Sequence, residues 1–251
     1  MNRMPRVAFV STSVRLKHMR FAVISDIHAN LEALQKAFEI IDTKNIDAVY
    51  CLGDIVGYGA NPNECISLLQ KRGVSCIEGN HDQAVIDMTR TADLNRFARA
   101  ALEWTSSQLT PEHLHFLSNL PFEMHAHGCL FVHSSPDDPE EWNYIVTDYD
   151  AQEYFSFFTE PICWVGHSHV SGVYCEDNVA EEVEKGKRYI INVGSVGQPR
   201  NHDPRLSFGI FDVEAWEYEH ITAEYDVDLA RKKIIDAGLP AYLGDRLLAG
   251  I

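Results

Sequence analysis

Three short apolar runs, separated by two amphipathic stretches, follow residue 19 and confine the chain to an α/β architecture. Phe21–Ser25 is apolar at consecutive positions, as in a strand buried on both faces. Asn30 can cap a helix in which Leu31, Leu34, Phe38 and Ile41 recur at helical spacing. Ala48–Leu52 reads as a second buried strand. Asn61-Pro62-Asn63-Glu64 is a helix start, with Pro at the first helical position and Glu three residues after the cap. Val74–Ile77 makes a third strand. A β-α-β-α-β order implies a parallel sheet flanked by helices, with right-handed crossovers.

Residues 83–119 change character. Leu94, Phe97, Ala101 and Trp104 keep a 3–4 spacing and Thr110-Pro111-Glu112 starts another helix, so a helical insertion of two or three helices is expected. Strands return at Phe122–His125, Cys129–Val132, Ile162–Val165, Gly172–Cys175, Tyr189–Val193 and Ser207–Val213. Trp216–Tyr225 alternates like an edge strand, and 226–236 and 240–249 read as helices. No linker composition or internal repeat marks a boundary, so a single domain over 19–251 is expected. Residues 1–18 carry Arg3, Arg6, Arg15 and Lys17 and no acid. Met19 looks like a natural start, and 1–18 are expected to be an extension outside the domain.

Charge narrows the function classes. The chain has 37 Asp and Glu against 21 Lys and Arg, a net of −16. Without the first 18 residues the balance is 17 basic against 37 acidic, a net of −20. That weighs against general binding to nucleic acid or to an anionic membrane surface. No apolar run approaches the length of a membrane span. The six Cys form no Cys-x-x-Cys pair and mostly sit in apolar stretches, which suits buried free thiols in a reducing, cytoplasmic setting.

In open α/β sheets, ligands bind beyond the carboxyl ends of the strands. The first strand here runs into Asp26-Ile27-His28, the second into Gly53-Asp54, the third into Gly79-Asn80-His81-Asp82. Val132 leads into His133, and Val165 into Gly166-His167-Ser168-His169. Residues two apart in an extended chain point the same way, so both Asp26/His28 and His167/His169 are expected to face one ion. Each motif alone is weak; a Gly-Asp at a strand end is more often a turn. Jointly, five strand ends deliver oxygen or imidazole donors and no thiolate.

The order Asp-x-His, Gly-Asp, Gly-Asn-His-Asp, lone His and Gly-His-x-His resembles the calcineurin-like metallophosphoesterase superfamily, over residues 20 to about 215. The resemblance implies two packed mixed β-sheets flanked by helices. It implies that Asp26, His28, Asp54 and His169 hold one metal, and that Asp54 bridges to a second completed by Asn80, His133 and His167. His81 would face the substrate, stabilising the transition state or protonating the leaving oxygen. Asp82 would either orient His81 or cap the following helix. The implied chemistry is in-line attack on a small phosphoester by a hydroxide bridging two divalent ions. An imidazole, carboxylate and amide set suits Mn²⁺, the expectation here, and also Fe, Zn²⁺, Ni²⁺ or Co²⁺.

His125-Ala126-His127 competes with His133 for the lone-ligand role, but it precedes Gly128 in a hairpin turn and is expected to face solvent. His18, His113, His115 and His220 are expected at the surface. The loop Gly194 to Arg200 resembles the family's Gly-Ser loop, which makes Arg200 a candidate phosphate contact. Tyr58, Asn143 and Tyr144 are candidates to border the cleft. The chain departs from the protein Ser/Thr phosphatase branch, because no Arg closely follows Gly53-Asp54 and residue 82 is Asp rather than Glu. It is more similar to compact prokaryotic phosphodiesterases. A phosphodiesterase or phosphomonoesterase is therefore expected. A dinucleoside polyphosphate hydrolase and a non-catalytic scaffold of the same fold are the alternatives.

Overall fold

The computed structural model describes residues 19–91, 94–177 and 182–251. Residues 1–18, expected to be an extension, and His18 among them lie outside the described residues. The first third alternates β1 (Arg20–Ile24), α1 (Leu31–Asp42), β2 (Ala48–Cys51), α2 (Pro62–Arg72) and β3 (Ser75–Cys76). The expected insertion holds α3 (Asn80–Ile86), a 3-10 turn at Met88–Thr91, α4 (Arg96–Gln108) and α5 (Pro111–Leu117). Then come β4 (Glu123–Ala126), β5 (Cys129–Val132), α6 (Asp148–Tyr154), β6 (Ile162–Val165), β7 (Gly172–Cys175) and β8 (Tyr189–Asn192). The remainder is β9 (Leu206–Asp212), β10 (Glu217–Ala223), α7 (Val227–Asp236) and α8 (Ala241–Ala249). Among the described residues no helix is long and apolar enough to cross a membrane.

The strands make two mixed five-stranded sheets, ordered β10-β9-β1-β2-β3 and β4-β5-β6-β8-β7. β1, β2 and β3 are parallel, while β9 runs antiparallel to β1. β5, β6 and β8 are parallel, with antiparallel β4 and β7 at the edges. Side-chain alternation assigns the layers. Phe21 and Val23 of β1 join Phe131, Trp164, Ile191 and Phe211 between the sheets. Ala22 and Ile24 face the opposite way, onto α1 and α2 through Leu34, Phe38 and Ile66. The second sheet repeats the pattern: Leu130, Val132, Cys163 and Val165 pack outward on Ile145, Ala151 and Phe155. Continuous apolar runs are thus needed because these central strands are covered on both faces.

Three local expectations differ from the structure. The third strand shrinks to two paired residues, because the Glu78 N–H leaves the sheet to donate to Pro121 O at 2.8 Å. Asn61 occupies the N-cap position of α2 without capping it; its Oδ1 accepts from Lys233 Nζ at 3.1 Å instead. His113 is buried rather than at the surface, held by Asn63 Oδ1 at 2.7 Å and Ser67 Oγ at 3.2 Å. His115 and His220 are exposed, and all six Cys are free and buried.

Candidate metal centre

Every motif residue follows the carboxyl end of a parallel strand, but the chain does not stay extended there. Asp26, His28, Asp54, His167 and His169 have φ of 53°, 47°, 51°, 63° and 60°. Left-handed backbone is uncommon for residues other than glycine. It persists where the surroundings over-determine it, at a cost of order 1–3 kcal/mol per residue. The convergence of Asp26 with His28, and of His167 with His169, therefore comes from tight left-handed turns and not from extended spacing. Backbone bonds hold those turns: Asp26 N to Gly53 O at 3.1 Å, His28 N to Asp54 O at 2.9 Å, and Gly166 N to His133 O at 2.9 Å. The loop after β8 ties in through Gly197 N to Asp26 O at 2.9 Å and Ser195 Oγ to Asp26 O at 2.8 Å.

Two buried donor groups result. Asp26, His28, Asp54 and His169 each bring one ligand-type atom within 4.8 Å of the others, as do Asp54, His133 and His167. Asp54 belongs to both, and its Oδ2 lies 3.5 Å from His28 Nε2 and 3.5 Å from His133 Nε2. Asp26 Oδ1 stands 3.2 Å from His169 Nε2. Asn80 Oδ1 joins the second group, 3.3 Å from His133 Nε2. His28, His133 and His169 each turn Nδ1 onto a backbone carbonyl, of Val56, Leu52 and Gln198, at 3.1, 2.8 and 2.5 Å. A carbonyl only accepts, so each Nδ1 donates and each Nε2 is left to face the centre.

These residues fit divalent cations. The Nε2 atoms of His28 and His169 face each other at 3.1 Å, a meeting of lone pairs unless a cation lies near both. Asp26 Oδ1 is buried with no hydrogen-bond partner, and so is His167 Nε2. Burial lowers His28 well below its ordinary value and His167 to about 3. His133 also suffers desolvation, but the Asp54 and Asp26 carboxylates outweigh it and raise the ring to about 9. Asp54 is held well below the carboxylate range: desolvation opposes this, and His133 and His81 overcome it. A metal bound by the second group would need His133 neutral, because an imidazole ligates through a free ring nitrogen. The shared carboxylate makes the pair of groups suited to a dinuclear metal site.

His81 stands outside both groups. Its backbone N–H donates to Asp54 Oδ1 at 2.8 Å, and its ring lines a cavity of about 450 Å³ beside the centre. Burial, opposed by Asp54 and reinforced by Arg200, lowers the ring to about 4. Gly57, at φ +88°, leaves room for that ring; a Cβ there would lie 2.5 Å from His81 Nδ1. Among the described residues no hydrogen bond joins Asp82 to the His81 ring. The Asp82 carboxylate accepts from Gly79 N at 3.2 Å, Ile55 N at 3.0 Å and Val56 N at 3.1 Å. It caps α3 and at the same time pins the loop that carries Asp54. Burial and the Asp54 charge push the carboxyl up to about 8, against the pull of these donors.

Gly79 touches the Asp54 backbone so closely that a Cβ would collide with Asp54 N and Oδ1. Gly79→Ala is expected to lower the thermal midpoint by roughly 3–10 °C through overpacking. It should also reduce bound metal, measured by elemental analysis. An unchanged midpoint with full metal content would show that the Asp54 loop has slack.

The cavity is lined by Asp54, Asn80, His81, His167, His169 and Arg200 on the side of the centre. Tyr58 packs its ring 4.7 Å from His28 and 4.5 Å from His81. Tyr144 stacks on His167 at 4.1 Å. Asn143 is not on this wall. His125 is exposed and bonds Glu160 Oε1 at 2.8 Å, and His127 meets the Tyr50 hydroxyl at 2.9 Å, so neither reaches the centre. The opposite wall went unread in the sequence: Asn95, the N-cap of α4, Phe97 within it, and Tyr242 and Arg246 from α8. Tyr242 and Arg246 share a helix face at i, i+4, a spacing that by itself points to no particular cleft.

Comparison with known proteins gives the family and the fold. A family model described as the calcineurin-like phosphoesterase superfamily domain matches residues 19–215. The uncharacterized protein MJ0912 of Methanocaldococcus jannaschii is 39% identical over 239 residues, covering 91% of this chain and 97% of that protein. A metallophosphoesterase from Sphaerobacter thermophilus has a crystal structure with a TM-score of 0.82 and 40% identity, over 93% of this chain and 100% of that one. The hypothetical protein PH1004 from Pyrococcus horikoshii OT3 shares the fold, with a TM-score of 0.81 at 21% identity, over 93% of this chain and 99% of that one.

Proposed function

The chain belongs to the calcineurin-like phosphoesterase superfamily, and from that premise we propose that it hydrolyses a small phosphoester at a dinuclear metal centre. The observation that carries this reading is Asp54 Oδ2, equidistant at 3.5 Å from one imidazole of each donor group. Asp26, His28, Asp54 and His169 would hold one ion, and Asp54, Asn80, His133 and His167 the other. Two divalent ions bound there would supply Lewis acidity toward a phosphoryl oxygen and a water deprotonated near neutral pH. The donors carry no thiolate, and Mn²⁺ is the proposed metal among those such a set accepts.

The chain's own residues supply the rest. Asp26 and Asp54 bring two negative charges and Asn80 a neutral oxygen, so a loaded centre stays net positive and admits phosphate despite the acidic surface. His81 lines the cavity beside Asp54 and would donate a hydrogen bond to the phosphoryl or leaving oxygen. Tyr58 packs against the His81 ring, and Arg200 would contact a phosphate oxygen of the substrate. The excess of acid on the surface argues for a small substrate rather than nucleic acid. A non-catalytic scaffold would be expected to lack a ligand or His81, and none is missing.

The test is metal analysis of the purified protein with assays on bis-p-nitrophenyl phosphate and p-nitrophenyl phosphate across several divalent metals. About two ions per chain and metal-dependent turnover are expected; no hydrolysis with any metal would overturn the reading. Chelation should reduce turnover to background and lower the thermal midpoint by about 5–10 °C, because bound ions stabilise only the folded chain. Both losses should reverse on adding metal back. A midpoint indifferent to chelator would mean that the centre holds no tightly bound ion.

A further inference from the structure

Arg200 and Arg246 form an electrostatic anomaly in this chain. One follows β8 and the other lies on α8, yet both guanidinium carbons stand 5.9 Å from the centre of the Tyr58 ring. Arg246 also lies 5.6 Å from the Tyr242 ring. Acids outnumber bases by 37 to 21, and Arg20, Arg72, Arg188, Arg205 and Arg231 all find a carboxylate. Among the described residues no Asp or Glu side chain pairs with Arg200 or Arg246. Arg200 donates to Gln198 Oε1 at 2.9 Å, and its Nε is buried with no partner. Arg246 donates through Nε to Ile251 O, leaving both Nη groups without a partner among the described residues. Burial and the Arg200 charge hold the Arg246 guanidinium below its ordinary value. Two like charges face one cavity with no Asp or Glu side chain on either among the described residues, and the Nη groups of Arg246 stay open to an anion from outside.

Their position says which anion. Both line the cavity that contains Asp54 and His81. The Arg200 backbone N–H donates to His169 O at 3.4 Å, so Arg200 borders the donor groups, whereas Arg246 sits on α8 beside Tyr242. Beyond it Phe97 and Tyr242 stack at 4.6 Å. Planar guanidinium forks match phosphate oxygens in pairs. Arg246 also lies outside the 19–215 stretch matched by the family, so this part of the cleft is supplied by the C-terminal helices.

We propose that Arg200 and Arg246 form a second anion subsite, which selects phosphoesters carrying another phosphate beside the one that is hydrolysed. The inference rests on the phosphoesterase reading for its biological sense, but the binding it requires can be measured alone. Adenosine 5′-monophosphate and adenosine 3′,5′-bisphosphate differ by one phosphate. Calorimetry of the Mn²⁺-loaded full chain is expected to show the bisphosphate binding about tenfold tighter or more. The same ratio should appear in their competition against bis-p-nitrophenyl phosphate. Arg246→Gln should narrow it to about threefold or less, and Arg246→Lys, which keeps the charge but not the fork, should fall between.

A wild-type ratio near one overturns the subsite whether or not any variant folds. So does an unchanged ratio in Arg246→Gln that melts like the wild type, which would reduce Arg246 to a packing partner of Tyr58 and Tyr242. A protein that hydrolyses no phosphoester yet keeps the calorimetric ratio would sink the enzymatic reading and leave the subsite standing.

Discussion

On the proposed reading, Asp54→Asn is expected to abolish metal retention and to cut turnover by roughly 10³-fold or more, because the carboxylate shared by the two donor groups has no substitute. Asp54 is buried, and its two oxygens have separate duties. Oδ2 lies between His28 and His133, and Oδ1 accepts the His81 N–H. An amide preserves the shape but can keep only one oxygen, so either the bridge or the backbone anchor is lost. Its NH₂ would also present a donor where cations are to be bound. Elemental analysis and steady-state kinetics on the same sample decide the matter. A variant that keeps two ions per chain and more than about a hundredth of the activity would remove Asp54 from the bridging position.

His81→Ala should separate catalysis from metal binding. The ring belongs to neither donor group, and the contact that ties residue 81 to Asp54 is made by the backbone N–H, which alanine retains. Metal content is therefore expected to match the wild type. Turnover should fall about 10²–10⁴-fold, the usual contribution of a positioned hydrogen-bond donor or proton donor at a reacting oxygen. Loss of metal together with activity would instead make His81 a support of the centre. Unchanged turnover would take it out of the reaction.

The gathering of the donor side chains was legible because they interrupt apolar runs at strand ends, and strand ends in such folds share one rim. Asp26, His28, Asp54, Asn80, His133, His167 and His169 all come together there. The local geometry was not legible. Asp26 and His28 converge through left-handed turns, which spacing alone does not distinguish from an extended pair. Asp82 was ambiguous because its partners, Ile55 N and Val56 N, lie 27 and 26 residues away. His113 reads as a surface residue on a short amphipathic helix, but Asn63 and Ser67 of α2 bury it. The Arg246 wall depends on where α8 returns after ten strands, and no pattern within α8 encodes that.

The two sheets contribute different donors: Asp26, His28, Asp54 and Asn80 follow strands of one, and His133, His167 and His169 follow strands of the other. Bound ions would rivet the open rim of the sandwich, and the aromatic stack of Phe21, Phe131, Trp164 and Phe211 sets how far the two plates can slide beneath that rivet. Misplacing reacting groups by as little as about 1 Å can cost roughly 10²-fold in rate. The shape of rings that never touch a ligand thereby becomes a tolerance on the chemistry, much as the bearing of a pair of shears, far from the blades, decides whether they cut.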